Sequence, residues 1–281
     1  MPVWAAARCT SAALPYFKPL EWQGHMLLDG GFMHNCPAAC AYSEAKSIWP
    51  DKRCDILLSL GTGIARHPGS APRKLMIIDV IKAFVHHILD ADRGWHEFSD
   101  SLGEKEEKEK IFRLNPEYDG AGFRLDDIRK LDEIERQAKQ WIATQNKELT
   151  DICDRLIAAL FFFHPLGPVK DGVQAGEILC RLPSELKARQ NLVSRILQIQ
   201  EERPDFFVVE YGGNLNKRVH IDVAEALNNL RCPDELRLKV SLPGLPAVGS
   251  IKIHVKMRSL GPDLSAWLPI SGSPYDIREG I

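Results

Sequence analysis

A continuous apolar segment, Ile-Leu-Leu-Ser-Leu at residues 56–60, is the feature that most constrains how this chain folds. It follows Asp55 and ends at Gly61-Thr62-Gly63. Side chains of a strand point alternately to two faces, so an apolar run without alternation indicates burial on both faces. Strands of this kind occur in parallel sheets that are covered by helices. The segment therefore predicts an α/β layer.

Helical patterns surround this strand. An Ala-rich helix is predicted over residues 3–13, ended by Pro15, and Pro37 opens a second helix that runs to about residue 48. A short strand is predicted at residues 26–28. Further amphipathic patterns predict a helix over 79–91 and two helices over 124–159, broken near Thr144-Gln145-Asn146.

After residue 160 the pattern changes to short strands with Gly/Pro turns between them. A helix capped by Ser184 is predicted over 184–202. Strands are predicted at 161–163, 177–182, 205–211, 236–242 and 250–258. The last of these alternates apolar and polar residues, which predicts an antiparallel sheet with one solvent-facing side. We therefore expect two domains, residues 1–160 and 161–281.

A lone carboxylate, Asp29, follows the short strand at 26–28 and is followed by Gly30 and Gly31. An aspartate at a strand end can present its oxygens to a neighbouring side chain. The glycines remove Cβ bulk and permit positive φ, so that backbone can pass close to the carboxylate. Such geometry suits a general base, which must come within hydrogen-bond distance of a nucleophile. Taken alone, the tripeptide is more typical of a plain turn.

The order of motifs around Asp29 resembles the patatin-like phospholipases. The matching parts are an Ala-rich helix and turn at 8–17, Asp29-Gly30-Gly31, His34-Asn35-Cys36-Pro37, and the strand and turn at 55–63. The resemblance is specific over residues 4–63 and continues less strongly to about residue 160.

The resemblance implies the fold and the activity. Residues 1–160 would be the C-terminal part of a three-layer α/β/α domain, followed by a smaller β-rich α+β module. The family hydrolyses lipid acyl esters with a Ser–Asp dyad, in which Asp29 would be the base. Gly30, Gly31 and Asn35 would support the motif, with no metal and no cofactor.

The sequence departs from the family pattern at the nucleophile. No Gly-x-Ser-x-Gly elbow occurs in the 281 residues, and the glycine-rich segment for the oxyanion hole is also absent. We therefore expect the chain to carry only the aspartate half of the dyad and to be catalytically inactive alone. Two smaller departures are Leu14, which separates Ala13 from Pro15, and Cys36, where the family has a second asparagine.

Composition restricts the partners. A formal charge of −2 gives no reason to expect nucleic acid. Seven cysteines, an odd count without regular spacing, indicate reduced thiols and a cytoplasmic protein. The longest apolar run, 156–163, is shorter than the ~20 residues of a membrane helix, and no leader opens the chain. The expected partner is a phospholipid or another acyl ester lipid, met through peripheral membrane contact.

Other residue groups have the chemistry of ligand sites but fit structural roles better. His34, Cys36 and Cys40, with Cys9 or Cys54, have zinc-ligand chemistry, but small buried cysteines on an Ala-rich helix explain them better. The pair His86-His87 is more typical of an exposed helix end than of a metal site. Gly61-Thr62-Gly63 favours a structural turn over a dinucleotide loop. The basic stripe of Lys252, Lys256 and Arg258 favours a solvated sheet face over contact with lipid headgroups.

Three functions remain open from the sequence. The first is a lipid acyl hydrolase or phospholipase whose serine lies outside this chain. The second is a non-catalytic remnant that binds lipid or a protein partner. The third is an effector segment of a larger signalling protein. The first is the prediction made here.

Overall fold

The computed structural model of the protein describes residues 1–14, 16–65, 90–103, 108–119, 127–183, 187–202, 205–212, 217–222, 237–245, 251–260 and 266–277. Helices and strands occur together along the chain, which confirms the α/β content. The chain divides into two compact units, Met1–Ala143 and Thr144–Ile281. The domain ranges 1–160 and 161–281 stay a prediction.

The first unit begins with a helix, a hairpin and two further helices. In chain order these are α1 (Val3–Thr10), β1 (Leu20–Trp22), β2 (His25–Leu27), α2 (Gly31–His34) and α3 (Ala38–Ile48). Trp4 of α1 packs edge-on against Trp22 of β1, with ring centroids 5.8 Å apart. The helices predicted over 3–13 and 37–48 are confirmed, although the first ends at Thr10.

The β1–β2 hairpin turns through Gln23 and Gly24, which have φ of 48° and 78°. A two-residue turn of type I′ requires positive φ at both positions and is usually made by Asn-Gly, Asp-Gly or Gly-Gly. Because Gln-Gly is not among these pairs, the sequence predicted only the second strand and not its partner β1.

The rest of the first unit contains two parallel strand pairs. Its elements are β3 (Leu57–Leu60), β4 (Ile64–Ala65), α4 (Ala91–Ser101), β5 (Ile111–Leu114), β6 (Glu117–Tyr118), a 3₁₀ turn (Ile128–Lys130) and α5 (Leu131–Thr144). Strand β3 pairs parallel with β5, and β4 pairs parallel with β6. The predicted parallel strand is confirmed.

The predicted burial of β3 on both faces is wrong. Leu57, Leu58 and Ser59 are half-buried, and Leu60 is 71% exposed. Among the described residues β3 pairs with β5 alone, so no described strand covers its other edge. Among the described residues, the buried members of the local hydrophobic core are Cys36, Ala38, Phe98 and Leu102.

Helix α4 was not predicted. Its cap is Asp90, whose Oδ1 accepts hydrogen bonds from the N–H groups of Asp92 and Arg93, both at 3.0 Å. The helix predicted over 79–91 lies almost entirely outside the described residues. So do His86, His87 and the helix cap Ser184.

The second unit contains two helices and eight strands among its described residues. These are α6 (Asn146–Ala158), β7 (Phe161–Pro165), β8 (Gln174–Cys180), α7 (Lys187–Glu202), β9 (Asp205–Tyr211), β10 (Lys217–Asp222), β11 (Arg237–Leu242), β12 (Ile251–Arg258), β13 (Trp267–Pro269) and β14 (Tyr275–Ile277). The predicted break between α5 and α6 is confirmed at Gln145. Strands β10, β13 and β14 were not predicted, because β13 and β14 span three residues each and β10 is rich in charge.

The strands of this unit form two antiparallel sheets. One has the order β10-β9-β12-β13, with β14 also paired to β12, and the other has the order β11-β8-β7. In β12, Ile253, Val255 and Met257 are buried while Lys252 is exposed. The predicted alternation and antiparallel pairing are confirmed.

The basic stripe on β12 is not a solvated face as predicted. Arg258 is buried, donates from Nη2 to Asp205 Oδ2 at 2.6 Å, and lies over the Trp267 ring at 4.3 Å. Lys256 donates to Glu210 Oε2 at 2.6 Å. Neighbouring strands therefore supply the acidic and aromatic partners of these cations.

Apolar side chains fill the interior of the second unit. Its largest fully buried members include Phe161, Ile178, Ile196, Phe206, Phe207, Leu238 and Met257. Residues of α6 and α7 belong to the same cluster, so both helices cover the strands. None of the described helices has the length and apolar character needed to cross a bilayer.

The pair formed by Glu210 and Lys256 predicts a pH-dependent contribution to stability. The hydrogen bond from Lys256 lowers the pKa of Glu210 below its ordinary 4.5. A lowered carboxyl pKa stabilises the folded state above pH 4.5, and this contribution is lost as pH falls through the folded-state pKa. Glu210→Gln is therefore expected to lower the free energy of unfolding by at most about 1 kcal/mol at neutral pH.

Urea denaturation of both proteins at neutral and acidic pH measures this difference, which should shrink below pH 4.5. The control is Glu201→Gln on the exposed side of α7, which should leave stability unchanged. A loss that is the same at both pH values would contradict the assignment.

Candidate active site

Asp29 lies just after β2, at the entrance to the short helix α2. Its backbone N–H donates to the carbonyl of Ala12 at 3.3 Å, and its Oδ1 accepts from the N–H of Gly31 at 2.8 Å. The side chain is half-buried. Among the residues that the structure describes, none donates a hydrogen bond to Oδ2. One carboxylate oxygen is thus fixed by backbone, and the other is available.

The expected reason for the two glycines is wrong. Gly30 has φ −65° and ψ −13°, Gly31 is the first residue of α2, and neither adopts positive φ. A Cβ at Gly30 would meet nothing within 4 Å. A Cβ at Gly31 would stand 3.4 Å from Asp29 Oδ1. A side chain at Gly31 would therefore touch the carboxylate at van der Waals distance, and one at Gly30 would not.

Asn35 lies at the other end of α2, with helical φ of −63° and ψ of −27°. Its Oδ1 is 3.7 Å from the point where a Cβ of Gly31 would stand. The structure thus brings Asp29, Gly31 and Asn35 together on one helical turn. Gly30 is adjacent to them in the chain. The catalytic role of Asp29 and the supporting roles of the others stay predictions.

A polar network, which the sequence did not reveal, lies between β3, β5 and α4. Arg113, whose side chain is 8% exposed, donates from Nε to Asp92 Oδ1 at 2.8 Å and from Nη1 to Ser59 Oγ at 2.9 Å. The same Nη1 is 3.8 Å from Cys36 Sγ, which is 4.0 Å from Ser59 Oγ. We call Cys36, Ser59, Asp92 and Arg113 the Arg113 network.

Asn115 extends this network to the Gly61-Thr62-Gly63 turn. Its Nδ2 donates to both carboxylate oxygens of Asp92, at 2.8 and 3.0 Å, and its Oδ1 accepts from the N–H of Gly63 at 2.8 Å. Gly63 has φ 109°, and a Cβ there would overlap the Tyr118 ring at 1.9 Å. These contacts are enough to explain why position 63 is a glycine, and no bound ligand is needed. They agree with the predicted structural turn.

Two features of the sequence could have indicated the Arg113 network, although they were not used to predict it. Ser59 interrupts the apolar run of β3, Arg113 interrupts that of β5, and the two lie opposite one another in the parallel register. A polar residue inside a short apolar strand needs a partner. The pairing of β3 with β5 is non-local, however, and single-sequence patterns do not reveal which strands pair.

No group of three or more His, Cys, Asp or Glu residues is placed to hold a metal ion within the described ranges. Of the residues weighed as zinc ligands, His34 is exposed, whereas Cys36 is buried in the Arg113 network. Burial raises the pKa of the Cys54 thiol, which disfavours the thiolate that zinc requires.

Known phospholipases are similar to this chain. Calcium-independent phospholipase A2-gamma of Mus musculus is 28% identical over 152 residues, which cover 53% of this chain and 19% of that protein. The Homo sapiens protein of the same name is 27% identical over 152 residues, with the same coverage. Phospholipase A I of Arabidopsis thaliana is 27% identical over 161 residues, which cover 55% of this chain and 12% of that protein.

The resemblance to the patatin-like phospholipases is confirmed. The matched region spans less than a fifth of each of these phospholipases, at 19% and 12% of their lengths. Neither a family model nor a solved structure matches the chain.

The two kinds of glycine described above predict opposite effects on stability. Gly30→Ala is expected to raise the free energy of unfolding by about 0.4–1 kcal/mol, because alanine fits its backbone and the unfolded chain loses freedom. Gly63→Ala is expected to lower it by at least about 1 kcal/mol, because of positive φ and the clash with Tyr118. Chemical denaturation measures both, and equal effects would contradict the conformations described.

Proposed function

We propose that this chain supplies the aspartate of a Ser–Asp dyad in a patatin-like lipid acyl hydrolase, with Asp29 as the general base. The observation that supports this most directly is the geometry of the carboxylate. Its Oδ1 is held at 2.8 Å by Gly31, while the half-buried side chain leaves Oδ2 without a donor among the described residues. A general base needs a fixed orientation and an available oxygen.

The chemistry assigns a definite proton transfer to Asp29. A serine hydroxyl is a poor nucleophile until a base removes its proton, so Oδ2 would accept that proton as the serine oxygen attacks the ester carbonyl. The oxyanion formed at the carbonyl needs preorganised N–H donors. Because the chain has no Gly-x-Ser-x-Gly, we place the serine and these donors on polypeptide outside the 281 residues.

The substrate class that we propose is a phospholipid or another acyl ester lipid. Phospholipases at 27–28% identity support this class. Exposed apolar side chains near Asp29 in the sequence support peripheral contact with a membrane on the cytoplasmic side. They include Val3, Trp4, Phe17, Met26 and Met33. The same exposed side chains would serve the alternative of a non-catalytic protein that binds lipid.

We also propose that the first unit is the C-terminal part of a three-layer α/β/α domain. The parallel pairing of β3 with β5 and the exposure of Leu60 support this arrangement, because parallel sheets are normally covered on both faces. A solved structure of the longer polypeptide tests it. A strand bonded to the other edge of β3 is expected, and an edge left open to solvent would contradict it.

The purified 281-residue chain is expected to bind phospholipid vesicles without hydrolysing phospholipid or p-nitrophenyl esters. Vesicle sedimentation and ester assays measure the two properties. Serine-dependent hydrolysis by this chain, abolished in Asp29→Ala, would show that the nucleophile is within it and would contradict the division of the dyad.

A longer polypeptide, in which a segment carrying Gly-x-Ser-x-Gly precedes these residues, is expected to be active. There Asp29→Asn should lower kcat by about 10²–10⁴-fold, the usual contribution of a general base. The control Asp51→Asn makes the same chemical change at an exposed site of the same unit and should leave kcat unchanged. Full activity in Asp29→Asn would overturn the proposal.

A further inference from the structure

We infer that Arg113 is a positioning residue for Asp29, acting through Ser59 and Cys36 on α2, the helix that directly follows the carboxylate. Arg113 is nearly buried and does not itself reach the dyad in any described contact. This inference rests on the proposed function for its catalytic consequence only. Its structural part stands on the contacts of the Arg113 network.

Helix α2 is too short to be stable without contacts to the rest of the unit. It has four residues, Gly31–His34, and its Ncap residue, Gly30, has no side chain that could bond to its first turn. Helices this short are unstable in isolation, since nucleation costs more than one turn of hydrogen bonds returns. The orientation of Asp29 therefore depends on what anchors the two ends of α2.

The N-terminal anchor is formed by backbone. The N–H of Asp29 donates to Ala12, just beyond the end of α1, and Asp29 Oδ1 accepts from Gly31. These bonds fix the carboxylate relative to the first turn of α2. They leave the direction of the helix axis to be set by the other end.

The C-terminal anchor is Cys36, which directly follows Asn35. It is 8% exposed and packs where a Cβ at Gly94 of α4 would be 3.3 Å away. Its sulfur lies 3.8 Å from Arg113 Nη1 and 4.0 Å from Ser59 Oγ. The end of α2 is therefore held against β3, β5 and α4 through the buried Cys36.

Arg113 makes this point rigid. Its guanidinium binds Asp92 and Ser59 at once, at 2.8 and 2.9 Å, so the two strands and α4 keep one arrangement around Cys36. A lysine carries the charge but lacks the planar fork that binds two partners in fixed directions. Arg113 thus transmits the geometry of the parallel strands to α2 and to Asp29.

Hydrogen exchange on the whole 281-residue chain tests the inference without any need for catalysis. The reporters are the amides of Gly31, Met33 and His34, which bond to Asp29 Oδ1 or to the carbonyl of Gly30. In Arg113→Met, their protection should fall about tenfold more than that of amides exchanging by global unfolding. Arg113→Lys should give a smaller loss.

Two controls separate positioning from general destabilisation. Arg258→Met makes the same change at a buried Arg–Asp pair of the second unit and should not alter the three amides. Asn115→Ala removes the branch to Gly63 and should affect them only as much as global stability changes. If Arg113→Met does not fold, Ser59→Ala removes one acceptor of the same guanidinium and carries the test. The inference is overturned if Arg113→Met does not reduce the protection of the three amides. It is also overturned if Arg113→Met and the control variants reduce their protection equally.

In the longer polypeptide, Arg113→Met should lower kcat about tenfold to a hundredfold while KM stays unchanged, because misplacing a catalytic group slows the chemical step. Arg113→Lys should recover part of kcat, and Arg258→Met should keep the wild-type value. Lost protection with a normal kcat overturns the positioning role. If the wild-type longer polypeptide does not hydrolyse esters, the proposed function is refuted. The hydrogen-exchange experiment still decides whether Arg113 positions α2.

Discussion

The ion pair between Arg113 and Asp92 joins β5 to α4 in the first unit, and the same guanidinium joins β5 to β3. Removing a guanidinium from water is costly unless its donors are bound and its charge is balanced. Asp92 supplies the balancing charge and Ser59 a further acceptor. Because the nearby hydrophobic core has four buried members within the described ranges, apolar packing among them gives the strand ends little definition. Polar contacts of defined direction therefore also fix the positions of the strand ends.

The second unit is held together differently. Its buried residues form one apolar cluster that includes edge-on ring contacts of Phe207 with Phe161 and Phe206, at 5.1 and 5.0 Å. Such pairs stabilise beyond the area they bury. Two cations of β12 have acidic partners on the neighbouring strand β9: Arg258 pairs with Asp205, and Lys256 pairs with Glu210. This unit has the interior of an ordinary antiparallel domain, whereas the first unit exposes large apolar side chains such as Trp4, Met26 and Met33.

Local patterns predicted much of this fold. The Ala-rich helix α1, the strand β3 and the alternation of β12 each follow from the residues within the element itself, as does the break at Gln145. Asp29 was identified by its resemblance to a family motif, and the structure places Gly31 and Asn35 beside it. Each of these predictions needed only neighbours in sequence.

What the sequence did not predict depends on distant residues. The burial of β3 was overestimated because an apolar run does not tell how many strands lie beside it. The buried state of Arg258 depends on Asp205, and the Arg113 network depends on the pairing of β3 with β5. The role of Gly30 was misjudged because a glycine permits positive φ without requiring it.

We propose that Asp29 removes the proton from a serine that lies on polypeptide outside this chain. The most direct test is the rate at which a fluorophosphonate labels that serine in the longer polypeptide, because this reaction needs the activated nucleophile but no lipid surface. We expect labelling to be slower by about a hundredfold or more in Asp29→Asn, because the general base is lost. Labelling of Asp29→Asn at the wild-type rate would contradict it.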